Sequence, residues 1–207
     1  RVANTRIMTK IDAKTVKALR ELTGAPMMDC KSALTETGGD VEKARDVLRK
    51  RGQQVADKVS SREVSEGLVF GYTHHNGKLG VLVEIVCETD FVAMNEDFKK
   101  FCHGVAMTVA AFNPKYLDKS AVPAEDIEKE QNIVTEMTKQ SMAGKPDNVI
   151  EKAVTGRMEK WFGEHTLMAK PYVPDDSKSV EQVRTDLVAK IGENIQVRRY
   201  FRMELGG

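Results

Sequence analysis

Between residues 12 and 52 the apolar positions recur at helical spacing in three short runs. Val16, Leu19 and Leu22 mark the first, which stops at Thr23-Gly24. Pro26 then stands where a first helical position tolerates it, and Met27, Met28, Cys30, Ala33 and Leu34 carry a second helix as far as Gly38-Gly39. Asp40 is a good N-cap for a third, with Val41, Ala44, Val47 and Leu48 on one stripe before Gly52. Three helices in so few residues make a small interaction bundle, near the lower limit for independent stability. The following stretch "QQVADKVSSREVSE", residues 53–66, is polar and nearly core-free and reads as a linker. The pattern therefore divides the chain into a three-helix domain at 1–52, a linker at 53–66 and a larger domain at 67–207.

The larger domain opens with period-two alternation. "GLVFGYTHH" and "KLGVLVEIVCE" flank Asn76-Gly77, which suits a hairpin closed by a two-residue type I′ turn. On the second strand Val81, Val83, Ile85 and Cys87 point one way, and Leu82, Glu84, Val86 and Glu88 the other. The period then becomes helical from about Asn95, with Phe98, Phe101, Cys102, Val105 and Val109 on one face. A further helix runs from near Pro123 towards Met142, and another carries Val149, Ile150, Ala153, Val154, Met158 and Trp161. These Met- and aromatic-rich stripes are assigned to core. Ser179-Val-Glu-Gln182 has the form of a capping box, opening a helix with Val183, Leu187 and Ile191. In the closing "NIQVRRYFRMEL", Ile195, Val197, Phe201, Met203 and Leu205 alternate with polar positions, as in a long half-buried strand able to pair with the hairpin. Strands with one wet face and helices packed on the other predict an α+β fold with an antiparallel sheet.

Composition narrows the function classes. The 207 residues are 41% hydrophobic and 30% charged, as in an ordinary globular protein. Lys and Arg number 32 against 31 Asp and Glu, so the net charge of +1 argues against a dedicated nucleic-acid binder. Arg49-Lys50-Arg51 reads as a helix C-terminus complementing its dipole. With Arg198-Arg199 it also keeps an RNA- or ribosome-binding protein as a competing class, marked by steep salt dependence. Cys30, Cys87 and Cys102 form no C-x-x-C pair, which counts against a disulfide scaffold or zinc ribbon and points to a reducing compartment. No apolar run approaches the length of a membrane span, and no signal peptide is visible. The chain begins at Arg1 rather than Met, which is compatible with a processed end.

Phosphate-cradling, dinucleotide, zinc-protease and nucleophile-elbow motifs are all absent. His74-His75 lacks further ligands at useful spacing and reads as a solvated turn, so no metal or cofactor is expected. Cys102 beside His103 allows a thiol enzyme as a third class, against which stands the apolar face on which Cys102 lies. An interaction protein outranks an enzyme.

One connection does not fit a polar loop. In "CETDFVAMNEDF" the strand should end near Glu88 and Asn95 can cap the next helix, which leaves Phe91 between them. In one reading Thr89 or Asp90 caps an earlier helix start and Phe91 folds back onto the core. In the other, Phe91 is an apolar wedge with Asp90 beside it, offered to a partner, where burial of the ring contributes about 1.5–3 kcal/mol. Met27 and Met28 offer a second adaptable apolar patch.

"LRELTGAPMMDCKSAL" (Leu19 to Leu34) and "CETDFVA" (Cys87 to Ala93) closely resemble the two signature stretches of the elongation factor Ts family. "GKPDNVIEKAVTGRMEKWFGE" and "VAKIGENIQVRR" resemble that family too, so the likeness covers nearly the whole chain in order. It implies an N-terminal domain similar to ubiquitin-associated three-helix modules, joined to an α+β core and dimerisation domain. It also implies guanine-nucleotide exchange on elongation factor Tu, with no catalytic residues and no cofactor of its own. The Asp-Phe pair of the family enters the partner's G domain near its magnesium site, which here implicates Thr89, Asp90, Phe91 and Val92. The N-terminal contact of the family falls on Arg20, Met27 and Met28. Met94 departs from the family, many of whose members have a basic or polar residue there. Short members are expected to pair as homodimers, and the resemblance implies a bacterial cytoplasm or an organelle matrix, with no direct nucleic-acid or membrane partner.

Overall fold

The computed structural model describes residues 11–206; Arg1 and the rest of the first ten residues lie outside the described part, as does Gly207. Helices α1 (Ala13–Thr23), α2 (Met27–Glu36) and α3 (Val41–Val59) come first. Their sequences dictate this closely. Val16, Leu19, Cys30, Ala33, Leu34, Ala44 and Leu48 form one buried cluster, joined at its edge by Ile11, Ala25, Val41 and Val47. Asp40 caps α3 by accepting the Lys43 N–H at 3.1 Å.

The third helix does not stop at Gly52. It runs on to Val59, with Ala56 and Val59 buried, so the segment expected to be a core-free linker is largely helix. Gly52 is itself buried, and a Cβ placed there would lie 3.5 Å from the Ala189 Cβ. At Gly52 the helix thus lies against α8 (Val180–Ile191), far along the chain. Arg49-Lys50-Arg51 accordingly sits in mid-helix rather than at a C-terminus, and Arg51 pairs with Glu36 at 2.8 Å.

Strands β1 (Glu66–Thr73), β2 (Leu79–Cys87) and β5 (Gln196–Glu204) form a three-stranded sheet in the order β1-β2-β5. The β1–β2 connection is longer than a type I′ turn. His74 N–H reaches the Leu79 carbonyl, Gly77 N–H reaches the His74 carbonyl, and Gly77 but not Asn76 has positive φ. Four-residue loops are commonly built this way. The β2–β5 pairing is antiparallel: Leu205 N–H donates to the Lys78 carbonyl at 2.8 Å, and Arg199 pairs with Glu84. That register sets Phe201 across from Leu82. A second small ladder joins β3 (Pro171–Tyr172) to β4 (Asp175–Ser179) antiparallel. The fold class is α+β, as the pattern predicts.

The remaining helices are the short α4 (Asp90–Ala93), then α5 (Glu96–Phe112), α6 (Ala124–Ser141) and α7 (Asp147–His165). Phe98, Phe101, Cys102, Val105 and Val109 of α5 are all buried, as expected. The stripes on α6 and α7 depart from expectation. Among the residues assigned to core on α7 only Met158 is buried, and Val149 is exposed, as are Ile133 and Met137 on α6. The two helices pack on each other, and such a pair covers only one side of each. β5 departs similarly. Ile195 and Val197 are buried, but Phe201, Met203 and Leu205 are exposed.

The contacts group into two compact units. One holds the described residues through Gly67 together with Val86–Lys99 and Gln182–Gln196; the other holds Leu68–Ile85, Lys100–Glu181 and the chain from Val197.

Candidate functional site

The connection after β2 is built to expose one ring. Cys87 ends the strand buried, and its thiol donates to the Thr89 carbonyl at 3.2 Å. Burial, with the negative Glu193 as a smaller cause, pushes that thiol up to about 11. Thr89 is extended (φ −128, ψ 154) and acts as N-cap, its Oγ1 accepting the Val92 N–H at 3.4 Å. A single helical turn follows, closed by Ala93 N–H to Thr89 C=O and Met94 N–H to Asp90 C=O. Asn95 then accepts the Asp97 N–H at 2.8 Å and opens α5.

On a helical turn successive side chains diverge by about 100°. Val92 and Ala93 turn inward and are buried, while Asp90, Phe91 and Met94 turn outward. Phe91 is 81% exposed. Each sequence reading holds one part of this arrangement. Thr89 does cap an early helix start, but Phe91 stands out from the fold instead of folding back. Val92, grouped with the presenting residues, is the inward anchor of the turn. Met94 lies three residues on from Phe91 on the same side, which adds a second apolar group beside the ring.

Thr89 is gripped from outside the loop. Its hydroxyl donates to Glu193 Oε1 at 2.7 Å and its N–H to Glu193 Oε2 at 3.1 Å. The neighbouring Glu88 accepts the Asn194 N–H at 2.6 Å and pairs with Arg62 at 3.3 Å. Asn194, almost fully buried, donates from Nδ2 to the carbonyls of Ser60 and Arg62. These supporting residues have no periodic signature. The one signal is a Glu-Asn pair placed between a helix-ending Gly192 and the buried Ile195.

The second candidate patch lies at the α1–α2 corner of the same compact unit. Gly24 closes α1 by donating its N–H to the Arg20 carbonyl at 2.8 Å, and Pro26 precedes the first turn of α2. Met27 and Met28 are 42% and 70% exposed, so neither packs inside the bundle. Arg20, also exposed, lines an open cleft of about 270 Å³ with Lys17, Glu21, Gly24 and Lys190.

The competing chemistries find little support. Cys102 is fully buried whereas His103 is exposed, its ring against those of Phe70 and Tyr72, so they do not form a nucleophile pair. Arg198 and Arg199 both lie on Glu84, and Arg51 lies on Glu36, which offsets part of each basic run locally. The His74 and His75 rings lean on each other at 4.2 Å, and His74 Nδ1 shares a hydrogen bond with the Tyr72 hydroxyl. Among the described residues no group of three or more His, Cys, Asp and Glu is gathered to hold a metal ion. Among them, too, no helix is long and apolar enough to cross a membrane.

Comparison with known proteins agrees with the resemblance. The family model "Elongation factor TS" matches residues 2–185. Elongation factor Ts of Fervidobacterium nodosum is 48% identical over 95% of this chain and 99% of its own length. That of Heliobacterium modesticaldum is 50% identical over 95% of this chain and 90% of its own, and that of Anaeromyxobacter dehalogenans (strain 2CP-1) is 49% identical over 96% and 90%. With matches of this extent and identity, the chain belongs to the elongation factor Ts family.

Proposed function

We propose that this chain is a guanine-nucleotide exchange factor for elongation factor Tu, acting in translation elongation by protein contact and without covalent catalysis. The observation that carries the reading is Phe91: a ring 81% exposed on a capped, anchored helical turn with Asp90 beside it. Leaving such a ring in water forgoes about 1.5–3 kcal/mol, which burial in a partner recovers. The partner holds GDP by a phosphate cradle and a Mg²⁺ ion that offsets clustered negative charge. A wedge entering beside that site disturbs the ion's coordination, phosphate repulsion rises, and GDP leaves faster. Coupling is reciprocal, so the incoming nucleotide weakens the factor's grip in turn and releases it. Arg20, Met27 and Met28 form a second contact that holds the partner while the wedge acts.

The partner set includes a second copy of this chain. The outer face of the sheet exposes Val69, Leu82, Phe201, Met203 and Leu205, with Phe201 across from Leu82. A face of this kind on three strands suits packing against an identical sheet, which supports a homodimer. The proposed setting is the bacterial cytoplasm or an organelle matrix.

Release of a fluorescent GDP analogue from elongation factor Tu tests the reading. Catalytic amounts of the protein should accelerate release severalfold or more over the spontaneous rate. A release rate unaffected at any concentration of the protein would overturn it.

A further inference from the structure

A four-residue helix does not hold itself. Nucleating a turn fixes several dihedrals for one hydrogen bond, so α4 in isolation would be melted. What holds it comes from elsewhere in its compact unit. Thr89 offers two donors on one side, its N–H and its hydroxyl, and both end on the two oxygens of Glu193, 104 residues away in sequence. With its proton committed to Glu193, the hydroxyl turns lone pairs towards the helix, where it accepts the Val92 N–H.

The grip is reciprocal. Glu193 holds the backbone next to Glu88, and Glu88 holds the backbone next to Glu193 through the Asn194 N–H at 2.6 Å. Gly192, at φ 85, makes the sharp exit from α8 that aims the Glu193–Asn194 segment at this loop, and its carbonyl accepts from Arg62 at 3.2 Å. Asn194 extends the network to the end of α3 through the Ser60 and Arg62 carbonyls. Lys190, in the last turn of α8, meets Asp97 in the first turn of α5 at 2.6 Å. The loop that presents Phe91 is therefore fixed on both flanks.

We propose, resting on the exchange reading above, that Glu193 is a positioning residue for exchange: its carboxylate clasps Thr89 and so holds the Asp90–Phe91 turn in the geometry that enters the GTPase. Glu193 touches no substrate; it acts through Phe91. The chemistry specifies an acid. Two parallel donors match the two acceptors of a carboxylate, whereas Glu193→Gln, of the same shape, supplies one acceptor and keeps the second contact only if its NH₂ donates to the Thr89 hydroxyl, whose proton then loses its charged acceptor.

The test is a double-mutant cycle on GDP release from elongation factor Tu. Glu193→Gln in the otherwise native chain should slow exchange about tenfold, the factor that losing one hydrogen bond to a charged group can produce. In a Phe91→Ala background the same substitution should change the residual rate by less than about twofold, because the ring it positions is gone. Thr89→Ser, which keeps the hydroxyl, should retain severalfold more exchange than Thr89→Val, which removes it. Native exchange by Glu193→Gln overturns the proposal, as does an equal loss in both backgrounds. Should Glu193→Gln not fold, equal rates for Thr89→Ser and Thr89→Val overturn it instead. If the native chain releases no GDP, it is the exchange reading that fails, while persistence of the clasp can still be read from slow amide exchange at Thr89.

Discussion

Two regions of this molecule leave large apolar side chains in water, and they do so in opposite ways. The Asp90–Phe91 turn exposes one ring above a polar support: the Cys87 thiol and the Glu193 carboxylate both bond the Thr89 backbone beside it, and Asn194 ties that support to the Ser60 and Arg62 carbonyls. The outer face of β1, β2 and β5 exposes a field of side chains on regular strands, and at Gly71 a Cβ would meet the Leu82 side chain at 3.5 Å. A single ring on a braced turn concentrates its effect at one point and suits displacement of a partner's structure. A flat field gains by area and suits a lasting interface. The difference predicts separable functions, with exchange resting on the turn and self-association on the sheet.

The largest expected effect lies at the point. Phe91→Ala should lower the GDP-release rate on the order of 10–100-fold, corresponding to loss of the ring's burial. The variant should keep the native helical circular-dichroism signal and sedimentation behaviour, because the ring contributes little to its own core. Native exchange by this variant would remove the wedge from the account.

The sheet should show the converse. Phe201→Glu puts a charge across from Leu82 on the face proposed to pair, and self-association should weaken by about tenfold or more by sedimentation equilibrium. GDP release, compared per folded protomer at saturating concentration, should fall far less than in Phe91→Ala. Loss of exchange equal to that of the wedge variant would mean that the two faces are not separable.

These regions also differ in how much of them was legible in the sequence. An aromatic in a polar connection is conspicuous, and the exposure of Phe91 follows from that. Its bracing is not conspicuous, because Glu193 lies more than a hundred residues away in a stretch with no periodic signal. On β5 the alternation was legible but the covering was not: Val197 and Phe201 share a parity, yet one is buried and the other is not. Alternation names two faces and leaves open which one meets a neighbour. The same limit explains α3, whose second half looked polar because its buried positions are only Gly52, Ala56 and Val59, small groups set among charged and amide side chains. On α6 and α7 helical stripes were legible, while the exposure of Ile133, Met137 and Val149 was not.

Alkaline titration offers a finer comparison, since folding raises the pKa of the buried Cys87 thiol at the loop and of the half-buried Tyr200 hydroxyl on the sheet. The Cys87 thiol, donating to Thr89, is pushed from 9.0 up to about 11 by burial first and Glu193 second. The Tyr200 hydroxyl, donating to the Pro114 carbonyl at 2.8 Å, is pushed by burial from 10.0 to about 12. Both pKa values are raised on folding, so the folded chain holds these protons more tightly than the unfolded chain. The stability they confer is complete below the unfolded values and is lost as pH rises through the folded ones. The loop side should therefore soften first, between pH 9.0 and about 11, and the strand side later, between 10.0 and about 12. Thiolate and tyrosinate absorbance, followed beside stability to urea, should show that order; tyrosinate of Tyr200 forming ahead of the Cys87 thiolate would reverse it.

The smallest effect is expected at Met28, and it decides which of the two patterns the α1–α2 corner follows. Met27 and Met28 are exposed like the sheet face, but they sit at the opening of a helix in the same compact unit as the wedge. With 70% of its surface already in water, Met28 contributes little to the bundle core, so Met28→Lys should change stability by less than about 0.5 kcal/mol. If the corner holds the partner while Phe91 acts, the substitution removes binding common to the starting complex and to the exchange step. The concentration of factor giving half-maximal GDP release should then rise a few-fold while the maximal rate stays near native, the signature of uniform binding. A fall in maximal rate with unchanged half-saturation would place Met28 with Phe91 in the displacing step. A native profile on both measures would remove Met28 from the contact with the GTPase.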